Sequence, residues 1–336
     1  MNGNGSEDEL RQAFQGKRAL VTGGLGFIGS NLARRLAGLG ADVLVVDALF
    51  PEQGGNRFNL ADAAGGKLAI EIADLRTAPL DRLVDGRDYL FSLAGQTSHQ
   101  GSMEAPLEDL DLNCRVALAL LEACRRKAPG ISVVYSSTRQ LYGKPRFLPV
   151  DESHPIAPPD INAIHKFAAE QYHLLYRRVY GIRSSVLRLT NTYGPRMRVK
   201  DARQTFIGIW LRALAEGKPF EVWEGGQKRD FTYADDMVEA LLLAVSHPKA
   251  QGEVFNIGGG GSVTLKNLAD RLIAAHGGGR YVLKEFPAER KRIDIGDYEA
   301  DDRKFRAATG WAPRVSLDDG LKRTLDYYRV HLAHYL

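Results

Sequence analysis

The sequence predicts an α/β protein: a parallel sheet covered by helices on both faces, with a smaller C-terminal lobe. Three observations point there. Short apolar runs alternate with long helical patterns from the start of the chain. Those runs lack the clean alternation of half-exposed strands, as expected of strands buried on both faces. The first run ends in a glycine cluster that opens directly into a helix.

Taken in order, Arg18–Thr22 (RALVT) is the first strand. Helical spacing follows from Phe27 to Leu39 and stops at Gly40, the usual C-terminal residue. Asp42–Val46 (DVLVV) is the second strand, bounded by Asp47. Further strands are expected at Leu68–Ile72, Asp88–Leu93, Ile131–Ser136 and Ile182–Leu189, and long helices at Pro106–Lys127 and Ile161–Tyr180. Strands and helices alternating at these lengths imply a parallel sheet with both faces covered.

After Asn191 the character changes. Tyr193–Gln204 is rich in Arg and Lys, and short strands then mix with loops such as Gly258–Gly261. The expected division is a nucleotide-binding domain of residues 16–189 plus 233–257 and a second lobe of 190–232 plus 258–330. A helix near Ala234–Ser246 and a strand near Val254–Asn256 return to the first sheet. Residues 1–15, polar and acidic, are expected to form a flexible leader.

Composition narrows the class. Hydrophobic residues are 44% and charged residues 26% of 336, ordinary for a globular protein. The 45 basic and 41 acidic residues are intermixed, whereas a nucleic-acid binder clusters its positive charge. The densest cluster, Arg290-Lys291-Arg292, suits either a solvated loop or a pyrophosphate. Cys114 and Cys124 lie ten residues apart on one helix, about 15 Å, too far for a disulfide. Free thiols in a reducing compartment follow. No apolar run approaches the ~20 residues that span a membrane, and the N-terminus lacks a signal peptide's basic start and apolar core. A cytoplasmic protein without membrane, nucleic-acid or metal partners is expected.

Thr22–Gly29 reads TGGLGFIG between strand and helix, the context a dinucleotide fingerprint requires. Gly23 permits the turn, Gly26 lets the backbone approach a pyrophosphate, and Gly29 lets helix and strand pack closely. The helix N-terminus offers unpaired N–H groups to the phosphates. Asp47, 18 residues after Gly29 at the end of the second strand, can bind the adenosine ribose hydroxyls and repel a 2′-phosphate. The expected cofactor is therefore NAD, on a Rossmann-type doubly wound sheet. Phe27, Ile28, Asp74, Leu75, Leu93, Ala94 and Gly95 complete the expected cofactor contacts.

These residues belong to a longer pattern. With AGQ at 94–96, SSTRQLYG at 136–143, NTYGP at 191–195, RDFTYADD at 229–236 and GWAPRVSLDDGL at 310–321, the chain resembles the extended short-chain dehydrogenase/reductases. Within them it is most similar to the NAD-dependent nucleotide-sugar epimerase/dehydratase group. The resemblance implies a Ser or Thr acting with the Tyr and Lys of a YxxxK pattern. In that pattern the Tyr takes a proton from a sugar hydroxyl as hydride passes to NAD, and the Lys lowers the Tyr pKa and holds the nicotinamide ribose. Thr138 fits the hydroxyl and Lys166 the lysine, but Asn162 stands where the Tyr belongs (INAIHK).

An amide has no acid/base pKa near neutrality, so Asn162 cannot be a general base, though it could hydrogen-bond a substrate hydroxyl. His165, Tyr142, His99, His154 and Tyr193 are open as substitutes, as is a proton carried by substrate or water. The group's 4,6-dehydratases carry Asp-Glu directly after the Ser/Thr, where this chain has Arg139 and Gln140. Its decarboxylases usually carry Glu at the second of those positions. Epimerisation through a transient keto sugar demands the fewest missing groups.

For the nucleotide sugar, the resemblance assigns Arg229 and Arg292 to the diphosphate and Asn191 to the diphosphate or sugar. Guanidinium groups bind phosphate bidentately, although both arginines could instead pair with Asp235, Asp236 or Asp294. Gln96 and Ser98, just past the fourth strand, could touch the sugar or merely brace their loop. A UDP-sugar 4-epimerase leads; a dehydratase or decarboxylase, or a binding protein that has lost its chemistry, are the alternatives. Homodimerisation through the helices at 106–127 and 161–180 is implied by the resemblance.

Overall fold

The computed structural model describes residues 3–63, 67–201 and 205–336. The first half runs α1 (Gly3–Phe14), β1 (Arg18–Thr22), α2 (Phe27–Gly38), β2 (Asp42–Asp47), β3 (Leu68–Ile72), α3 (Leu80–Val84), β4 (Tyr89–Ser92), α4 (His99–Glu104), α5 (Pro106–Leu110) and α6 (Val116–Lys127). Then come β5 (Ser132–Thr138), α7 (Ile161–Tyr180), β6 (Arg183–Leu189), β7 (Asn191–Tyr193), α8 (Phe206–Ala215), β8 (Phe220–Trp223), β9 (Lys228–Tyr233), α9 (Ala234–Ser246) and β10 (Val254–Ile257). The chain ends with β11 (Ser262–Thr264), α10 (Leu265–His276), β12 (Tyr281–Lys284), α11 (Ala288–Lys291), α12 (Arg303–Thr309) and α13 (Leu317–His331).

Seven strands form one parallel sheet in the order β10-β6-β5-β4-β1-β2-β3. The chain order reverses between β1 and β4, which opens a crevice at their carboxyl ends, the usual ligand site of such sheets. Successive residues of one strand feed two different cores, which explains the missing alternation in the sequence. Ala19, Val21, Val43 and Val45 pack toward α2 and α9, whereas Leu20, Leu44 and Val46 pack toward α3 and α6. Strand β10 joins the sheet beside β6.

Two expectations are corrected. Within the expected flexible leader, Gly3–Phe14 is helical, and residues 1–2 lie outside the described residues. Leu10 and Phe14 are buried in the sheet's core, with the Phe14 ring 4.9 Å from that of Tyr89. The apolar i, i+4 pair outweighs the polar composition around it. The helix expected over Pro106–Lys127 is interrupted by a π-turn at Asp111–Arg115. The turn allows Asn113 to reach two acceptors outside its own helix backbone, the Gln96 carbonyl and the Asp109 carboxylate.

The second lobe has its own core, built from Trp210, Leu214, Phe220, Leu268, Leu272, Leu321 and Tyr328. Its strands form a three-stranded sheet, β11-β9-β7, and a two-stranded one, β12-β8. Because β7 follows β6 almost at once, the lobe hangs directly over the carboxyl edge of the main sheet. Cys114 and Cys124 are free and buried. Among the described residues no helix is long and apolar enough to cross a membrane.

Candidate active site

One cavity of about 1070 Å³ lies between the carboxyl edge of the sheet and the second lobe. It is at the upper end of the range for single small-ligand sites. At one end the glycine turn closes around it. Gly23 has φ +69°, and a Cβ there would meet the Ala94 backbone at 2.9 Å. A Cβ on Gly29 would press into the Gly23 carbonyl oxygen. Both positions therefore require glycine, and the result brings bare backbone and the α2 N-terminus to the cavity wall. Gly26, Phe27 and Ile28 line it beside them.

Asp47 accepts hydrogen bonds from the N–H groups of Leu25 (3.0 Å) and Leu49 (2.8 Å), one on each carboxylate oxygen. Burial raises its pKa above the ordinary value, opposed by these N–H groups. Each oxygen keeps a lone pair for a ribose hydroxyl. Asp74 and Leu75 continue the wall, with Asp74 held by a bidentate pair to Arg76 (2.7 Å) that lowers its pKa. Leu93, Ala94 and Gly95 line the cavity after β4. The residues present thus fit an adenine dinucleotide with a free 2′-hydroxyl.

At the other end stand Thr138 and Lys166. Thr138 closes β5 and its hydroxyl accepts from the Gln140 N–H at 3.1 Å. Lys166 Nζ donates to the Ser136 carbonyl at 3.1 Å. Burial pulls its pKa down to about 8, partly opposed by the Asp109 and Glu170 carboxylates. Helix α7, which carries Lys166, is started by Asp160, whose side chain accepts from the Ala163 N–H, and ended by Gly181 in the left-handed conformation.

Asn162 is buried, and its amide nitrogen donates to Gln96 O (2.8 Å) and to Asp109 Oδ2 (3.1 Å). Asn113 donates to the same two acceptors, and His165 Nδ1 lies 2.7 Å from Asp109 Oδ1. Asp109 is thus the hub of a buried network behind Lys166 that sequence reading missed. A lone Asp in a helical run carries no signal of it.

The candidate proton carriers separate cleanly. Tyr142 is fully buried, donating to Asn256 and accepting from Arg188, each at 2.7 Å, and burial pushes its pKa up to about 12. His154 has both ring nitrogens engaged, with Arg146 N–H and the Pro155 carbonyl. Tyr193 lies in the second lobe's core and donates to Leu317 O. His165 faces Asp109. Of these five, His99 alone lines the cavity. Its Nδ1 lies 3.0 Å from Asp160 Oδ2. Burial would raise the Asp160 pKa, but His99, the Ala163 N–H and the Gln140 amide together hold it below the ordinary value.

The substrate-side residues divide. Ser98 lines the cavity while capping α4 through the Gly101 N–H. Gln96 does not line it: its side-chain oxygen accepts from the Ser98 N–H, so it braces its own loop. Asn191 and Arg229 line the cavity, and Arg229 is paired with Asp294 at 2.7 Å. Arg292 is exposed and outside the lining. Arg290 takes the expected place, its guanidinium 4.8 Å over the Trp223 ring. Two residues apart on a helical turn, the two side chains point to opposite sides. Among the described residues no group of three His, Cys, Asp or Glu could hold a metal ion.

The chain is similar to known proteins over nearly its whole length. A putative UDP-glucose 4-epimerase of Methanocaldococcus jannaschii is 32% identical over 317 residues, covering 92% of this chain and 98% of that protein. A dTDP-glucose 4,6-dehydratase of Streptomyces niveus is 32% identical over 334 residues, covering 94% of each. Among solved structures, epimerase Mth375 of Methanothermobacter thermautotrophicus superposes with a TM-score of 0.92 at 25% identity, covering 99% of this chain and 98% of that one. The family model described as NAD dependent epimerase/dehydratase matches residues 19–258, so the chain belongs to that NAD-dependent enzyme family.

Proposed function

We propose that the protein is a nucleotide-sugar 4-epimerase acting through a transient keto sugar, with His99 as the proton carrier that replaces the missing tyrosine. The observation that carries this reading is the convergence of Thr138, Lys166 and His99 on one cavity whose other end fits a dinucleotide.

NAD would be held by the glycine turn, Asp47 and Lys166, and would supply the acceptor and donor of hydride for the sugar carbon. His99 takes the hydroxyl proton at Nε2, while Asp160 stabilises the imidazolium that forms. Thr138 hydrogen-bonds the same sugar oxygen. Lys166 adds positive charge beside it and holds the cofactor ribose. Rotation of the keto sugar before reversal of both transfers gives the epimer, and the proton returns from His99.

Dehydration lacks its acid/base pair, since Arg139 and Gln140 occupy those positions and Gln140 is committed to Asp160 Oδ2 (3.0 Å) and Ile293 O (3.0 Å). A lapsed enzyme would not need a carboxylate-backed imidazole facing its cavity. The apolar residues left exposed on α4, α5 and α7, including Met103, Leu107, Ile164 and Leu175, support a homodimer joined through these helices.

The test is incubation with NAD and neutral and acidic nucleotide sugars in deuterated water, read by NMR. A new epimer free of solvent deuterium is expected. Absence of turnover across the panel, with NAD binding verified, would sink the epimerase reading.

A further inference from the structure

Three neighbouring arginines are not equivalent: Arg188 and Arg229 are buried, Arg139 is half-buried, and of the three Arg139 and Arg229 line the cavity. Arg188 is neutralised by Glu170 (2.7 Å), and Arg229 by Asp294 (2.7 Å). Arg139 makes no ion pair among the described residues. One of its terminal nitrogens donates to Asn191 Oδ1 at 3.1 Å, and its guanidinium lies 5.4 Å over the Tyr298 ring. Its Nε is buried without a hydrogen-bond partner, and so is Asn191 Nδ2. Both residues line the cavity. Two orphaned N–H donors on hydrogen-bonded neighbours, one of them on a cation, make a place with the charge and the donors for an anion.

We propose that Arg139 and Asn191 bind a carboxylate carried by the sugar, so that the substrate is an acidic nucleotide sugar, a nucleoside diphosphate hexuronate. The proposal rests on the nucleotide-sugar reading above and names its substrate class.

Position favours the sugar over the diphosphate. Arg139 directly follows Thr138, the hydroxyl assigned to the reacting sugar oxygen, whereas Arg229 and Arg290 offer cations from the second lobe. Electrostatics points the same way. Burial and the neighbouring Arg229 pull the Arg139 pKa down to about 10, so it stays charged at neutral pH. The carboxyl of nearby Asp230 is pushed up to about 7 by burial, and both its oxygens already accept from the Gly259 and Ala300 N–H groups. It is a poor counter-ion for Arg139. A half-buried guanidinium with a water-excluded, unpaired Nε and no carboxylate partner is unfavourable, and a ligand carboxylate would supply the missing charge and an acceptor.

The experiment is calorimetric titration of the NAD-loaded protein with UDP, dTDP, and the glucose and glucuronate forms of each. For the preferred base, the wild type is expected to bind the glucuronate about 10-fold or more tighter than the glucose form. Arg139→Gln should lose about 10–100-fold in affinity for the glucuronate while changing affinity for the bare diphosphate and the glucose form by less than about 3-fold. An equal loss for the bare diphosphate would overturn the proposal, because Arg139 would then be a diphosphate contact. A wild type indifferent to the carboxylate also overturns it, and that arm needs no variant to fold. Failure to bind any of these ligands would overturn the nucleotide-sugar reading itself, whereas binding without acid preference removes this proposal alone.

Discussion

The Asn162 amide nitrogen donates to Gln96 O at 2.8 Å and to Asp109 Oδ2 at 3.1 Å, tying helix α7 to the loop after β4. Both its N–H groups are spent inside the protein. The amide nitrogen at the expected tyrosine position is therefore a brace, while the residue itself lines the cavity one helical turn from Lys166.

Asn162→Ala should cost about 1–3 kcal/mol of stability, because it removes a donor from buried Asp109. Asn162 also lines the cavity, so Asn162→Tyr gives a ring open space, but it should still destabilise because Asp109 loses the same donor. Neither is expected to raise the turnover rate. Thermal melts and kcat of both variants check this; a faster Asn162→Tyr enzyme would contradict the assignment of the proton to His99.

His99→Ala should lower kcat by about 10²–10⁴ with NAD affinity unchanged. Asp160→Asn is the sharper variant. An Asn side chain can still cap α7, so the helix should hold while the imidazole loses its counter-charge. A fall in kcat with KM nearly constant is expected, together with a displaced acid limb in the pH–rate profile. An unchanged profile would reduce Asp160 to a helix cap.

The sequence made the cofactor half of the site legible because each part of it is local. A glycine turn, a strand-end carboxylate and the order of strands and helices all fall within short windows, and the sheet repeats them. The proposed proton carrier was not legible in the same way. His99 and Asp160 are 61 residues apart, and only the meeting of α4 with the start of α7 brings them together. The Asp109 network is hidden for a similar reason, since a π-turn, which carries no composition signal, points Asn113 into it. Arg290 and Arg292 illustrate a finer limit: the cluster was visible, but which arginine faces inward depends on a four-residue helix.

Asp47→Ala should weaken NAD binding by about 10–100-fold, the worth of hydrogen bonds to a charged group. It should also narrow the preference against NADP, because the carboxylate that repels a 2′-phosphate is gone. Fluorescence titration with both cofactors tests this. Unchanged NAD affinity would mean that the carboxylate serves only the Leu25 and Leu49 N–H groups it already holds.

Lys166 links the site to stability through pH. Its pKa is about 8 in the folded protein against an ordinary 10.5, chiefly because burial penalises the charge. Between these values the unfolded chain binds more protons than the folded one, so this group makes stability rise with pH from about 8 to about 10.5. Below pH 8 the full penalty applies, on the order of 3 kcal/mol. Lys166→Met should therefore abolish turnover yet make the cofactor-free protein more stable at pH 7. The gain is smaller than the full penalty, because Asp109 and Glu170 lose a nearby cation. Near pH 10 the wild-type lysine is mostly neutral when folded, and the variant's advantage should largely vanish. Urea unfolding of both proteins at pH 7 and pH 10 measures the difference directly, and changes in other groups cancel between them. An advantage of equal size at both pH values would show that Lys166 is not buried as a strained cation, and that its place in the site rests on contacts alone.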